Sequence, residues 1–246
     1  MEENAIFANV YAYQVKDVFK LYFGQNKDRE DNFDIEVEGL AYYNCEKPTA
    51  KTNCHRYYLE LNIKKPNGNK GRLAVIMLNP SNTFPKKGVD ATVKNVVRIA
   101  YKLGYSSVII LNSFSYIDGN SSTAKKNENN NSGDYNLNII SNVLNENKNL
   151  MIAWGTKISK TIKNQILSRV SQIEGINIFA FAWNYNAGCP FHPATRVYDK
   201  QNKIHPLTEF LINKSKEVLL VINKCEGIYT LHPALTSINI RKKLSH

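Results

Sequence analysis

Residues 73–83 read LAVIMLNPSNT: six apolar side chains run straight into Asn79, Pro80 and Ser81. An unbroken apolar run bounded by turn residues reads as a strand, residues 73–78, buried on both faces. Its end has two readings. Asparagine and proline are ordinary turn residues and stop a strand well. Alternatively, Pro80 fixes the backbone so that the Asn79 amide and nearby N–H groups, Ser81 included, face a ligand. A neutral amide can position a water or hold a substrate, but it is a poor general base. Taken alone, the tripeptide fits both.

Downstream, short apolar runs alternate with helical periodicity. DATVKNVVRIAYKLG (90–104) puts Val93, Val96, Val97 and Ala100 on one face, with Asp90 placed to cap and Gly104 to stop the helix. A strand over 107–111 ends at Asn112. The stretch IDGNSSTAKKNENNNSGD (117–134) is too polar to pack and reads as a mobile loop. A helix over 135–146, a strand over 150–154, a helix carrying Ile158, Ile162, Ile166 and Val170, and a strand over 176–182 follow. The loop WNYNAGCPFHPATR (183–196) and a last helix over 207–223 complete the pattern before a basic tail ending IRKKLSH.

Upstream, a helix is expected over 13–23, then the charged surface run NKDREDNFD. Strands are expected over 35–43 and 56–64, and PNGNKG marks a turn. The alternation predicts one domain over 1–246. Its architecture is three-layer α/β/α with a central four-stranded parallel sheet and extra N-terminal strands. Ligands in such sheets bind beyond the carboxyl ends of the strands. Those ends are Asn79-Pro80-Ser81, Asn112-Ser113-Phe114, Trp154-Gly155 and the loop around His192, so the unusual residues collect at one edge.

With 32 Lys and Arg against 21 Asp and Glu, the net charge is +11. That excess favours polyanions, nucleic acid first, although a Lys-, Asn- and Ile-rich composition also follows from an AT-rich genome. No apolar run of about 18 residues occurs, so no membrane span is expected. The N-terminus lacks a signal-peptide pattern, and the expectation is a soluble cytoplasmic protein. Cys45, Cys54, Cys189 and Cys225 form no C-x-x-C pair and read as unpaired structural cysteines, with an iron–sulfur or zinc site using all four as the alternative should the fold gather them.

Three histidines precede prolines: His192, His205 and His232. His192 is favoured because Gly188, Pro190 and Pro193 bracket it at a strand end, where a histidine can donate to a departing anion. Asp90 is either a helix cap or a carboxylate that activates water. Asn112 either ends a strand or reads a base edge. Phe114, Tyr116, Trp183 and Tyr185 are candidates for stacking on a base, with core packing as the alternative. Trp154 reads as core, and Gly155 permits close backbone approach.

In order, the segments LNPSN (78–82), ILNSF (110–114), AWG (153–155) and PFHPAT (190–195) resemble the uracil-DNA glycosylase superfamily. The closer resemblance is to a divergent, uncharacterised bacterial family with LNPS, D-x-T, A-W-G and G-x-P-x-H-P motifs, over about 56–211. Residues 1–55 then form an N-terminal extension, and 212–246 the end of a C-terminal helix and the tail. Two departures lie near the pocket: SYIDGN replaces an Arg-Ala-Thr segment, and Ala91 replaces a proline.

The resemblance implies a glycosylase-like fold and hydrolysis of an N-glycosidic bond after base flipping. Asn79 would orient water or contact the base and sugar, His192 would stabilise the leaving base, and Asp90 would supply negative charge. Pro80, Ser81, Asn112, Phe114, Gly155 and Tyr185 would line the pocket, and Lys86, Lys87 and Arg196 would hold phosphates. DNA is the implied partner, and neither metal nor cofactor is needed. A lysine nucleophile is not indicated, so the reaction would leave an abasic site. The departures point to a modified pyrimidine such as hydroxymethylated or glucosylated cytosine of phage DNA, which makes the role antiviral. A hydrolase of free nucleosides or nucleotides and a non-catalytic nucleic-acid-binding module are the rival readings.

Overall fold

A strand stays in the middle of a sheet when both of its faces and both of its edges are covered, and β4 (Arg72–Met77) meets both conditions. From Leu73 to Met77 its side chains are 0–3% exposed. In the computed structural model, which describes residues 10–21, 33–48, 53–81, 88–118, 120–127, 130–180, 183–184, 189–194, 208–212 and 218–221, parallel neighbours flank it. These are β5 (Ser107–Asn112) and β6 (Asn149–Ile152). Leu73, Val75 and Met77 pack on one face with Val93, Val96, Val97 and Ala100 of α1 (Ala91–Leu103). Ala74 and Ile76 pack on the other with Leu137, Ile140 and Leu144 of α3 (Asn130–Glu146) and Ile166 and Val170 of α4 (Lys160–Val170). Burying each large aliphatic side chain contributes about 1.5–3 kcal/mol.

The expectation of a central four-stranded parallel sheet is overturned. The described residues form a mixed nine-stranded sheet, completed by β1 (Tyr11–Leu21), β2 (Phe33–Tyr43), β3 (Arg56–Ile63), β7 (Asn177–Ala180), β10 (Thr208–Ile212) and β11 (Val218–Val221). Its order is β1-β2-β3-β5-β4-β6-β7-β10-β11. Parallel pairing is confined to β5-β4-β6-β7. The other ladders, β1-β2, β2-β3, β3-β5, β7-β10 and β10-β11, are all antiparallel. A separate two-stranded ladder joins β8 (Trp183–Asn184) to β9 (Cys189–Pro190). The class is mixed α/β.

Three local corrections explain the difference. The helix expected over 13–23 is the strand β1. Val15 and Phe19 are buried and Tyr13 and Asp17 half-buried, while the residues between them are exposed, a period of two. The helix expected over 207–223 is replaced by the hairpin of β10 and β11. The polar stretch read as a mobile loop holds α2 (Ser121–Asn127) and the first turn of α3. Asn120 starts α2, its Oδ1 accepting from the Ser122 amide at 2.9 Å, and Ala124 is fully buried.

Cys45 and Cys54 are also not free: they form a disulfide across the β2–β3 connection, with Cα atoms 5.8 Å apart. Adjacent antiparallel strands bring their connecting residues together, which sequence spacing alone does not reveal. Cys189 is a buried free thiol, and Cys225 lies outside the described residues. Among the described residues no helix is long and apolar enough to cross a membrane.

Gly39 lets β2 pass close to β3, since a Cβ there would collide with the Glu60 carbonyl oxygen and come within 3.0 Å of Leu61 Cα. Replacing Gly39 with alanine is therefore expected to destabilise the fold by about 1–3 kcal/mol. Urea unfolding checks this, and an unchanged midpoint would refute it.

Candidate functional site

The carboxyl ends of the parallel strands are tied to one another by backbone hydrogen bonds. Ser113 N donates to Met77 O and Phe114 N to Leu78 O, each at 2.8 Å, and Ala153 N donates to Ile76 O at 2.8 Å. Asn79 therefore leaves β4 from a fixed platform. Its Nδ2 donates to the Asp118 carbonyl at 2.6 Å, and the Asp118 amide returns a bond to the Pro80 carbonyl at 3.2 Å. Committing the nitrogen in this way makes Oδ1 the acceptor end of the Asn79 amide.

Asp90 is the helix cap of its first reading, and its second oxygen is engaged as well. Oδ1 accepts from the Val93 amide at 2.9 Å and caps α1, while Oδ2 accepts from the Ser81 hydroxyl. A single carboxylate thus joins the helix N-terminus to the strand end after Asn79.

His192 stands next to this pair. Its Nδ1 accepts from the Ala194 amide at 3.2 Å, which places the proton of the neutral ring on Nε2. Burial lowers its pKa from the ordinary value, Asp90 opposes that shift and Lys157 reinforces it. The ring is neutral at pH 7 and keeps an Nε2–H donor. Gly155, with φ 72°, packs against it: a Cβ at this position would lie 3.0 Å from His192 Cβ. Asn95 of α1 donates to the Pro193 carbonyl at 2.8 Å and anchors the loop from the other side. Ser81 and Asp90 are thereby joined, Gly155 abuts His192, and Asp90 acts electrostatically on that ring. Asn79, two residues before Ser81, is held on the 118 segment.

Other expected residues have different surroundings. Asn112 is fully buried; its backbone carbonyl accepts from Asn136 Nδ2 at 2.8 Å, but neither polar atom of its side chain has a partner. Phe114 is packed with Leu78 and Ala124 and has no open face for stacking. Tyr116 meets the His55 ring edge-on. Trp154 is core, as expected. Tyr185, Lys86, Lys87, Arg196, His205 and His232 lie outside the described residues, and so does the side chain of Trp183.

The sequence reading missed two groups. Lys157, Lys160 and Lys163 follow Gly155 at intervals of three. Lys157 acts electrostatically on His192, and Lys163 has its pKa lowered by burial first and by Lys160 as well. Lys160 and Lys163 sit three apart on α4, where like charges repel. Their regular spacing was the available signal. The second group is Arg56 and His55 at the start of β3, where only the apolar alternation of the strand drew attention.

The family model described as "Protein of unknown function (DUF1643)" matches residues 56–194, more than half of the chain. The chain belongs to the DUF1643 family. No curated protein and no solved structure matches it. The DUF1643 segment contains Asn79, Asp90, Asn112, Gly155 and His192, and it starts at Arg56. Among the described residues no group of His, Cys, Asp and Glu is arranged to hold a metal ion.

His55 supports the segment that anchors Asn79. Its Nδ1 lies 2.8 Å from Ser115 Oγ, and its ring stacks on Tyr57 with centroids 6.0 Å apart. Burial pushes its pKa down to about 4. A histidine buried in the neutral form gives its full stability above the unfolded value near 6.5, and that stability is lost as pH falls from there towards 4, at a cost of up to about 3 kcal/mol. In the His55→Gln variant, stability measured by urea unfolding is expected to fall less steeply between these pH values than in the wild type. Parallel curves would refute the assignment.

Proposed function

We propose that this DUF1643 chain is a monofunctional DNA glycosylase, hydrolysing the N-glycosidic bond of a flipped, modified pyrimidine and leaving an abasic site. The observation that carries the reading is the neutral His192, held as its Nε2–H tautomer against Gly155 and beside the Asp90 carboxylate. Breaking an N-glycosidic bond sends the bonding pair to the base and leaves positive charge on the sugar, so catalysis calls for a donor on one side and an anion on the other. His192 Nε2–H donates to the departing base. Asp90 stabilises the oxocarbenium-like sugar, and Asn79 Oδ1 orients the water that adds to C1′. The water proton passes to Asp90 and then to solvent, and the base anion takes a proton from solvent.

Lys157, Lys160 and Lys163 support a nucleic-acid substrate over a free nucleoside, because a cluster of like charges next to the site suits a phosphate backbone. Glucosylated or hydroxymethylated cytosine of phage DNA is the proposed substrate class, which makes the activity a cytoplasmic antiviral one. The replacement of the Arg-Ala-Thr segment by SYIDGN supports a pocket shaped for something other than uracil.

The test is incubation with unmodified, uracil-containing and glucosylated DNA, followed by alkaline cleavage of abasic sites. Breaks are expected with the glucosylated DNA, and their absence from all three would sink the proposal. Asn79→Ala and His192→Ala should each lower kcat about 10²–10³-fold. Gly155→Ala, which displaces His192, should cost about 10²-fold. Wild-type kcat in all three variants would leave only a binding role. Lys157→Gln and Lys160→Gln should each reduce the slope of log K against log salt for duplex DNA by about 1. An unchanged slope in fluorescence anisotropy would remove these lysines from the interface.

A further inference from the structure

Arg56 is 4% exposed, and its Nε and Nη2 have no hydrogen-bond partner. The guanidinium bonds the Tyr43 hydroxyl, and no carboxylate among the described residues pairs with it. Nε and Nη2 together form the edge of a guanidinium that binds two acceptors side by side. A buried, permanently charged group with that edge unsatisfied is costly for a chain to retain.

A second orphan lies close by in the fold. Both polar side-chain atoms of Asn112 are unpartnered and fully buried. Register places the two residues on the same face of the sheet. Arg56 pairs with Tyr43, and Asn112 pairs with Met77; both partners belong to the core cluster on the α1 side. They also share one end of the sheet, because the Arg56 amide donates to Ser115 O, three residues beyond Asn112. This is the end, and the face, from which Asp90 begins α1. Phe191, which precedes His192, packs against the same cluster.

We propose that Arg56 is a ligand-binding residue whose Nε/Nη2 edge, alongside the Asn112 amide, receives two adjacent in-plane acceptors of the substrate base, the O2 and N3 of a cytosine-type pyrimidine. The choice of base follows from the donor pattern. Arginine offers only hydrogens. Cytosine presents O2 and N3 as neighbouring acceptors, with an amino group beyond them for which Asn112 Oδ1 is the acceptor. Uracil and thymine carry a hydrogen on N3, which would meet an Arg56 hydrogen head-on. A site built this way rejects the mismatched base strongly, because its buried donors would stay unpaired. The proposal deepens the glycosylase reading by naming the recognition edge, and it rests on that reading for the flipped pyrimidine.

The test is thermal unfolding of the full chain with deoxycytidine or deoxyuridine, in wild type and in Arg56→Met. Methionine keeps the apolar stem and removes the unsatisfied charge. The ligand-free variant is expected to melt about 2–4 °C above wild type. Deoxycytidine should raise the wild-type Tm, deoxyuridine should leave it unchanged, and Arg56→Met should lose the deoxycytidine shift. A variant that melts below wild type yet keeps the shift would overturn the proposal. So would an equal response to the two nucleosides, including no response to either. A deoxycytidine shift that depends on Arg56, found in a protein that cuts no glucosylated DNA, would sustain base recognition and reject the glycosylase reaction.

Discussion

The parallel register of β4 against β5 is the constraint on which the rest depends. Met77 stands opposite Asn112, and the chain continues that pairing past both strand ends through Ser113 and Phe114. Because the ladder extends beyond the strands, Asn79 and the 113–118 segment are held together by backbone hydrogen bonds. The bond from Asn79 to the Asp118 carbonyl is then a tie between two parts already held together. Slipping the register by one residue would turn Met77 and Asn112 to opposite faces and dissolve the arrangement.

A polar constellation sits on this apolar platform, and its electrostatics follow from burial. Partial burial holds the His192 pKa below its ordinary value, although Asp90 pulls in the other direction. Asp90 keeps its place because it also caps α1, so helix stability and site geometry draw on one side chain. Polar groups seated on structural bonds are positioned at little further entropic cost.

Apolar patterning made the centre of the fold legible. The run from Leu73 to Met77, the 3.6-residue spacing of Val93, Val96, Val97 and Ala100, and the cap at Asp90 all correspond to what the sequence suggested. The flanks were obscure because strand pairing is non-local. Nothing within residues 13–23 says that a partner strand waits over 33–43, and helical spacing can be found in the same letters. The polar stretch around Ala124 hid a helix whose only buried contact is one small side chain. In the site, Asn79, Gly155 and His192 stood out because prolines and glycines punctuate them. Arg56 did not, since a charged residue at the start of a strand looks like a surface position until the neighbouring strand covers it.

The sheet does not respect the boundary of the DUF1643 match. That match begins at Arg56, yet Val15, Phe19, Ile35, Val37, Ala41 and Tyr43 belong to the same core cluster as Leu59 and Val75. Asp17 of β1 accepts from the Val89 amide at 3.0 Å and pairs with Lys94 at 3.2 Å, on either side of Asp90. A fragment trimmed to 56–194 would therefore expose the whole flank of β3 as a raw apolar edge and strip the N-terminus of α1 of its brace. The unit to express, crystallise or graft is set by the hydrogen-bonded sheet, and it starts no later than β1.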